Sequence, residues 1–382
     1  MHVCVLMPVL DTFKGGNHLP LLGACPSVQF TILTNRTKPQ NPVLPPNVRV
    51  LTLPAHIGSY YGGFADALFA QSVLRTYPPR HAFWTQFDVI HLNQTFGPAL
   101  RRLRETGRPV CLLIHHPVTV DRALAIQESR WPVTLLWRLK YILLWRWQRA
   151  LCRSGIAVVT VSRTAAKRIA SDYGLDASGI RVVPNGIEGG GAPSVSPAKT
   201  EFDVIAIGSF LHPRKGFPYL LKVYQSLSAA GYRLADVGRR SEQQKEQLSR
   251  VPHLHVFGTV GQEELLSLLG RSSALISTAL YEGFGLSLIE ALAHGIPAFA
   301  FGGGAVEEVL SPIDPRLVSP LRDTAELVRR VQEFLRLPEA QRRERGENYR
   351  HAVLDRYSLV RSGQALKEFY DVLCRSTPIF RG

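Results

Sequence analysis

The chain has 382 residues, enough for two domains with a core each, and its 45% hydrophobic and 20% charged residues exclude a disordered, collagenous or channel-forming protein. Lys plus Arg exceed Asp plus Glu by 45 to 30, with 21 against 9 in residues 1–190 and 24 against 21 in residues 191–382. The surplus therefore belongs to the first half, which is expected to meet an anionic partner.

Residues 3–8 open the chain as an apolar strand, with no basic region ahead of it to suggest a signal peptide. Short aliphatic runs then alternate with longer stretches of helical period. Strands are expected at 29–34, 48–53, 89–92, 110–114, 157–161 and 181–183, and in the second half at 203–207, 233–237, 254–257, 274–277 and 298–301. That alternation specifies parallel α/β sheets. Residues 133–151 form the most apolar stretch, but Arg138, Lys140, Arg146 and Arg149 interrupt it, too many charges for a membrane span. Residues 185–200, rich in Gly, Ser and Pro, read as a linker, and residues 342–375 as helix with Tyr357, Leu366, Phe369 and Leu373 inward. The five cysteines (Cys4, Cys25, Cys111, Cys152 and Cys374) fall at no metal-ligand spacing and read as reduced thiols in cytosol; no metal site is expected.

The sharpest constellation is Tyr281-Glu282-Gly283-Phe284-Gly285-Leu286-Ser287-Leu288-Ile289-Glu290-Ala291, directly after the strand at 274–277. Gly283 and Gly285 allow a tight turn and close approach of a ligand to the backbone. The helix opening at Leu286 presents free N–H groups and a positive dipole end, which suit a phosphate. Glu282 before that helix and Glu290 inside it can accept paired hydrogen bonds from vicinal hydroxyls, one on a sugar and one on a ribose. Taken singly, such glutamates read as solvated side chains; the coincidence of strand, glycines, helix start and both acids points to a nucleotide-sugar site.

The span from Glu282 to Glu290 resembles the Glu, seven residues, Glu motif of the retaining nucleotide-sugar glycosyltransferases of family four (glycosyl transferases group 1). Five further stretches resemble the same family in the expected order: Gly15-Gly16, Asp88-Val89-Ile90-His91, Ile114-His115, Val183-Pro184-Asn185-Gly186, and Gly208-Ser209-Phe210-Leu211-His212-Pro213-Arg214-Lys215-Gly216. The resemblance implies the GT-B fold, two Rossmann-like domains with parallel sheets facing a central cleft. Residues 1–185 would take the acceptor, 186–200 link, 201–355 hold the nucleotide sugar, and 356–382 form closing helices crossing back to the first domain. It also implies roles. Lys215 would neutralise charge on the leaving diphosphate, Gly15 and Gly16 would cover that diphosphate, His115 would bond the transferred sugar, and Glu282 would orient it. Gly283, Phe284, Gly285, Leu286, Ser287 and Glu290 would complete the donor site. The family's usual Arg is Ser209 here, and Arg214 is either its substitute or a solvent-facing side chain. His116 stands beside His115, so either imidazole can be the inward one; for His91 a site role and a structural role both stay open.

The implied reaction transfers a sugar with retained anomeric configuration, without a cofactor, a metal or a dedicated base, to a glycan or lipid acceptor at or near a membrane. Residues 101–153 carry 11 basic and 3 acidic side chains, interleaved with Trp131, Trp137, Tyr141, Trp145 and Trp147. This suits an interfacial helix on an anionic membrane surface, and equally a helix packed on its own sheet. A cytoplasmic protein, peripheral on the inner face of a membrane, is expected; no motif supports nucleic-acid binding. The competing readings are a sugar-nucleotide epimerase of the same architecture and a non-catalytic basic adaptor on anionic lipid.

Overall fold

The computed structural model describes residues 1–11, 19–38, 43–54, 62–95, 97–129, 131–189 and 200–376. The chain divides into two compact units, one of Met1–Ile126, Arg130–Gly186 and Leu359–Gly382, the other of Gln127–Ser129 and Ile187–Ser358.

In the first unit the apolar runs form β1 (His2–Leu6), β2 (Val9–Asp11), β3 (Gln29–Thr34), β4 (Arg36–Lys38), β5 (Val48–Thr52), β6 (Val89–Asn93), β7 (Val110–Ile114), β8 (Ala157–Thr160) and β9 (Arg181–Val182). Seven of them make one parallel sheet in the order β5-β3-β1-β6-β7-β8-β9, with Val3 of β1 opposite both Phe30 and Val89. β6 and β7 are buried at every position, as strands covered on both faces must be. β2 and β4 pair separately; at three residues each, they are too short for periodicity to reveal. The connections carry α1 (Leu19–Gly23), α2 (Gly62–Thr76), α3 (Val118–Gln127), α4 (Val133–Cys152) and α5 (Arg163–Tyr173). Trp84, Phe69, Phe87, Leu92, Ile114 and Tyr173 lie in its core.

The second unit repeats the scheme with β10 (Phe202–Ile207), β11 (Leu234–Val237), β12 (Leu254–Gly258), β13 (Ser272–Ser277), β14 (Ala298–Phe301) and β15 (Val318–Ser319), parallel in the order β12-β11-β10-β13-β14-β15. Its helices are α6 (Phe217–Ala229), α7 (Glu242–Ser249), α8 (Gln262–Gly270), α9 (Leu286–Ala293), α10 (Val306–Leu310), α11 (Thr324–Leu335) and α12 (Glu339–Tyr357). The helical tail is not continuous: Ser358 is extended (ψ 147°) and separates α12 from α13 (Leu359–Ser376), whose Leu366, Phe369, Tyr370 and Leu373 are buried in the first unit. The Cys25 thiol donates to the Gly363 carbonyl there at 3.2 Å.

Strand order reverses between β1 and β6 in the first sheet and between β10 and β13 in the second. Adjacent strands at such a point send their chains to opposite faces, leaving a crevice at their carboxyl ends where ligands of doubly wound sheets bind. The loops after β10 and β13 carry Lys215 and Glu282.

Candidate active site

The loop after β10 ends in a single 3-10 turn, Pro213–Lys215. His212 caps it, its Nδ1 accepting from the Arg214 N–H at 3.1 Å. Gly216 follows at φ +70°, where a Cβ would lie 2.1 Å from the Thr278 carbonyl oxygen, so only glycine can pass this close to the end of β13. The two loops are joined directly: the Thr278 hydroxyl donates to the Gly216 carbonyl at 3.1 Å, and the Leu280 N–H to the Arg214 carbonyl at 2.8 Å.

This backbone contact fixes three charged side chains. Lys215 Nζ donates to Glu282 Oε1 at 2.6 Å, and Arg214 Nη1 lies 3.5 Å from Oε2 while donating to the Tyr281 carbonyl at 2.7 Å. Arg214 and Glu282 side chains are each 14% exposed and Lys215 27%, so the cluster is largely shielded and keeps an opening to solvent. Of the two readings of Arg214, the structure supports the inward one.

Glu282 is held from behind by Gly302-Gly303-Gly304, the loop after β14. Its N–H donates to the Gly303 carbonyl at 3.2 Å and its carbonyl accepts from Ala305 at 2.8 Å; a Cβ on Gly304 (φ +67°) would sit 2.3 Å from the Glu282 oxygen. The turn then reaches Gly285 at φ +92°, and α9 begins there without a side-chain cap, its first N–H groups at the positive end of the helix. Gly283 and Phe284 are buried and Leu286 and Ser287 half-buried; the Phe284 ring meets Tyr357 edge-on at 5.3 Å. Glu290, in the second turn, is reached by solvent, yet desolvation by the surrounding protein raises its carboxyl from the ordinary value.

One support escapes sequence reasoning. Arg240, after β11, is buried with Asp236; its Nη2 donates to Asp236 Oδ1 and its Nη1 to the Gly208 carbonyl, both at 2.6 Å, and its guanidinium lies 4.4 Å from the Phe210 ring. Arg240 thus braces the start of the Gly208–Gly216 loop. Burial pushes the Asp236 carboxyl up, and Arg240 and the Tyr224 hydroxyl offset that rise. The glycine triplet after the expected strand at 298–301 was the available signal for the loop behind Glu282.

In the first unit, His115 is half-buried just past β7, and His116 Nε2 lies 3.1 Å from Asp121 Oδ2. His116 is therefore tied to α3, while His115 stands directly past the end of β7. His91 is structural: fully buried on β6, its Nδ1 is 2.5 Å from the Tyr370 hydroxyl, and burial lowers its pKa to about 4. Gly15 and Gly16 lie outside the described residues.

Residues 193–351 match the family described as Glycosyl transferases group 1, and residues 27–188 the one described as Glycosyltransferase Family 4. An MMP alpha-(1->4)-mannosyltransferase of Mycolicibacterium hassiacum is 29% identical over 71% of this chain and 67% of its own length. A phosphatidyl-myo-inositol mannosyltransferase of Mycobacterium leprae is 26% identical over 65% of this chain, which spans 64% of that relative. Among solved structures, the sucrose-phosphate synthase of Thermosynechococcus elongatus superposes with a TM-score of 0.79 at 17% identity (98% of this chain, 100% of that one). Anabaena HepE in complex with UDP-glucose gives 0.70 at 16% (97% and 100%). At these identities the structures speak for the fold alone. The site at the β10–β13 switch point and two family matches running together from residue 27 to 351 lead to one conclusion: the chain belongs to the group 1, family-four glycosyltransferases, built on the GT-B fold.

Proposed function

We propose that this protein is a retaining hexosyltransferase that moves a sugar from a nucleotide-diphosphate sugar to a hydroxyl of a lipid-linked or membrane-proximal glycan. The observation that carries the reading is the convergence of Lys215 and Arg214 on Glu282 at the carboxyl ends of β10 and β13. A donor diphosphate at this switch point would face the two cations and the uncapped N–H groups of α9, an arrangement that stabilises charge as it builds on the leaving group. Arg214 then supplies the second cation that Ser209 does not. With both cations engaged by the diphosphate, Glu282 exchanges them for the sugar hydroxyls it orients.

Transfer proceeds on one face of the sugar. The acceptor oxygen bonds to the anomeric carbon as its bond to the diphosphate breaks, and the acceptor proton passes to a departing phosphate oxygen, so neither a metal nor a separate base is required. For His115 the family resemblance implies a hydrogen bond to the transferred sugar. The names of the mannosyltransferase relatives favour a hexose, and a phosphatidyl-myo-inositol acceptor in one of them suits an enzyme working at the cytoplasmic face of a membrane.

The test is to screen UDP-, GDP- and ADP-hexoses for transfer to a lipid extract, with and without chelator. Lys215→Ala and Glu282→Ala are expected to lower the rate by about 100-fold or more, and Arg214→Ala by about 10-fold. Parent-level transfer by the first two variants would overturn the site. An epimerised donor formed without acceptor would support an epimerase instead.

A further inference from the structure

Helix α4 has two apolar faces, and its own domain covers only one. Tyr141, Leu144, Gln148, Leu151 and Cys152 form the buried stripe, with the Gln148 side-chain oxygen accepting from the Val118 N–H at 2.8 Å and Tyr141 and Leu144 packing on Val118 and Ala125 of α3. On the opposite side, at helical spacing, stand Leu135, Leu136, Leu139, Ile142 and Leu143, exposed by 50, 65, 59, 47 and 38%. The outer face of a helix on a soluble domain is ordinarily polar, and a continuous aliphatic row there marks a surface that something else covers.

The charge around the row identifies the cover. Arg138 and Lys140 flank it on either side, and the same outer face continues into Arg146, Arg149 and Arg153, while residues 129–171 contain no Asp or Glu. Trp145, Arg146, Arg149, Ala150 and Arg153 line a groove of about 430 Å³, in which the Arg149 guanidinium lies 5.8 Å from the Trp145 ring. Arg104 of the neighbouring 3-10 turn Pro98–Thr106 donates to the Ser154 carbonyl at the end of α4, adding further positive charge. A second copy of the chain docked by this face would set five cations against five. A bilayer with anionic headgroups satisfies both parts at once, aliphatic side chains at the acyl boundary and guanidinium groups on lipid phosphates.

We infer that the outer face of α4 is a membrane-docking surface that holds the first unit on an anionic bilayer. The inference deepens the proposed function by naming its membrane contact, but it does not depend on catalysis. Among the described residues no helix is long and apolar enough to cross a membrane, so the attachment is peripheral and reversible.

Co-sedimentation of the full chain with phosphatidylcholine vesicles, with and without phosphatidylglycerol, tests it. The parent is expected to pellet with the mixed vesicles only, and to be released as salt is raised. Leu136→Glu/Leu139→Glu and Arg146→Glu/Arg149→Glu should each weaken pelleting by about 10-fold or more with an unchanged thermal midpoint, while Lys215→Ala pellets like the parent. In the unaltered protein, brominated phosphatidylglycerol should quench tryptophan emission, since Trp131, Trp137, Trp145 and Trp147 lie on or beside α4. Equal binding to neutral vesicles, absence of quenching, or a parent dimer that Leu136→Glu/Leu139→Glu turns into a monomer would each overturn the inference.

Discussion

Arg214 and Lys215 are neighbours in the chain, yet they reach opposite oxygens of one carboxylate. The tight turn capped by His212 makes this possible, and because sequence pattern does not encode that turn, it marks the lysine's position but not the direction of Arg214. His91 shows the opposite limit. In the sequence it closes a short apolar run much as His115 does, but β6 continues through Leu92 to Asn93 and places His91 inside the strand. What decides is Tyr370, 279 residues away and invisible to local pattern, which seals the imidazole in the core. Among the described residues its Nε2 meets no hydrogen-bonding partner, so a proton on the ring would be a poorly compensated buried charge. The folded imidazole stays neutral down to about pH 4, whereas in the unfolded chain it protonates near 6.5. Between those values the unfolded state takes up a proton that the folded state excludes. The contribution of His91 to stability is therefore complete above pH 6.5 and is lost as pH falls towards 4, up to about 3 kcal/mol. Urea unfolding of the parent and His91→Gln across that window should show a steeper acid loss in the parent; parallel curves would refute it.

At the scale of elements, inner parallel strands such as β7 and β14 were legible because both faces are buried and each is a solid apolar run, ended by His115 and Gly302. β15 and the β2–β4 pair were not, since two or three residues hold no period. The break at Ser358 was hidden as well, because helical pattern continues on both sides of it. The Gly208–Gly216 loop was recognisable by its residues, but its brace was not. Arg240 and Asp236 side chains are 1% and 0% exposed, and an ion pair that deep is strongly destabilised when one member is removed. Arg240→Ala should cost about 3–5 kcal/mol, measurable in the unfolding of the second unit, and should weaken nucleoside diphosphate binding by calorimetry through slackening of the Gly208 loop. A stable Arg240→Ala protein with parent-like binding would show that the brace is dispensable.

For the whole molecule, the asymmetry of charge at first implied only an anionic partner for the first half. The Arg214–Lys215–Glu282 cluster in the second unit uses two cations and one carboxylate, which leaves the basic surplus of the first half to α4 and its surroundings. The first unit is also assembled from both ends of the sequence: its sheet comes from residues before Gly186, and its last packed helix, α13, begins at Leu359. That arrangement has a consequence for synthesis. As the chain leaves the ribosome, the sheet of the first unit emerges before the second unit but lacks Tyr370, Phe369 and Leu366 until the second unit has been made, whereas the second unit, apart from Gln127–Ser129, is a single run that is complete at Ser358. The usual order, in which the first domain out folds first, is expected to be reversed here. Chains released at Ser358 should carry a protease-resistant second unit and a protease-sensitive first one, so that a stop codon placed after Ser358 would damage the unit whose sheet is made before it.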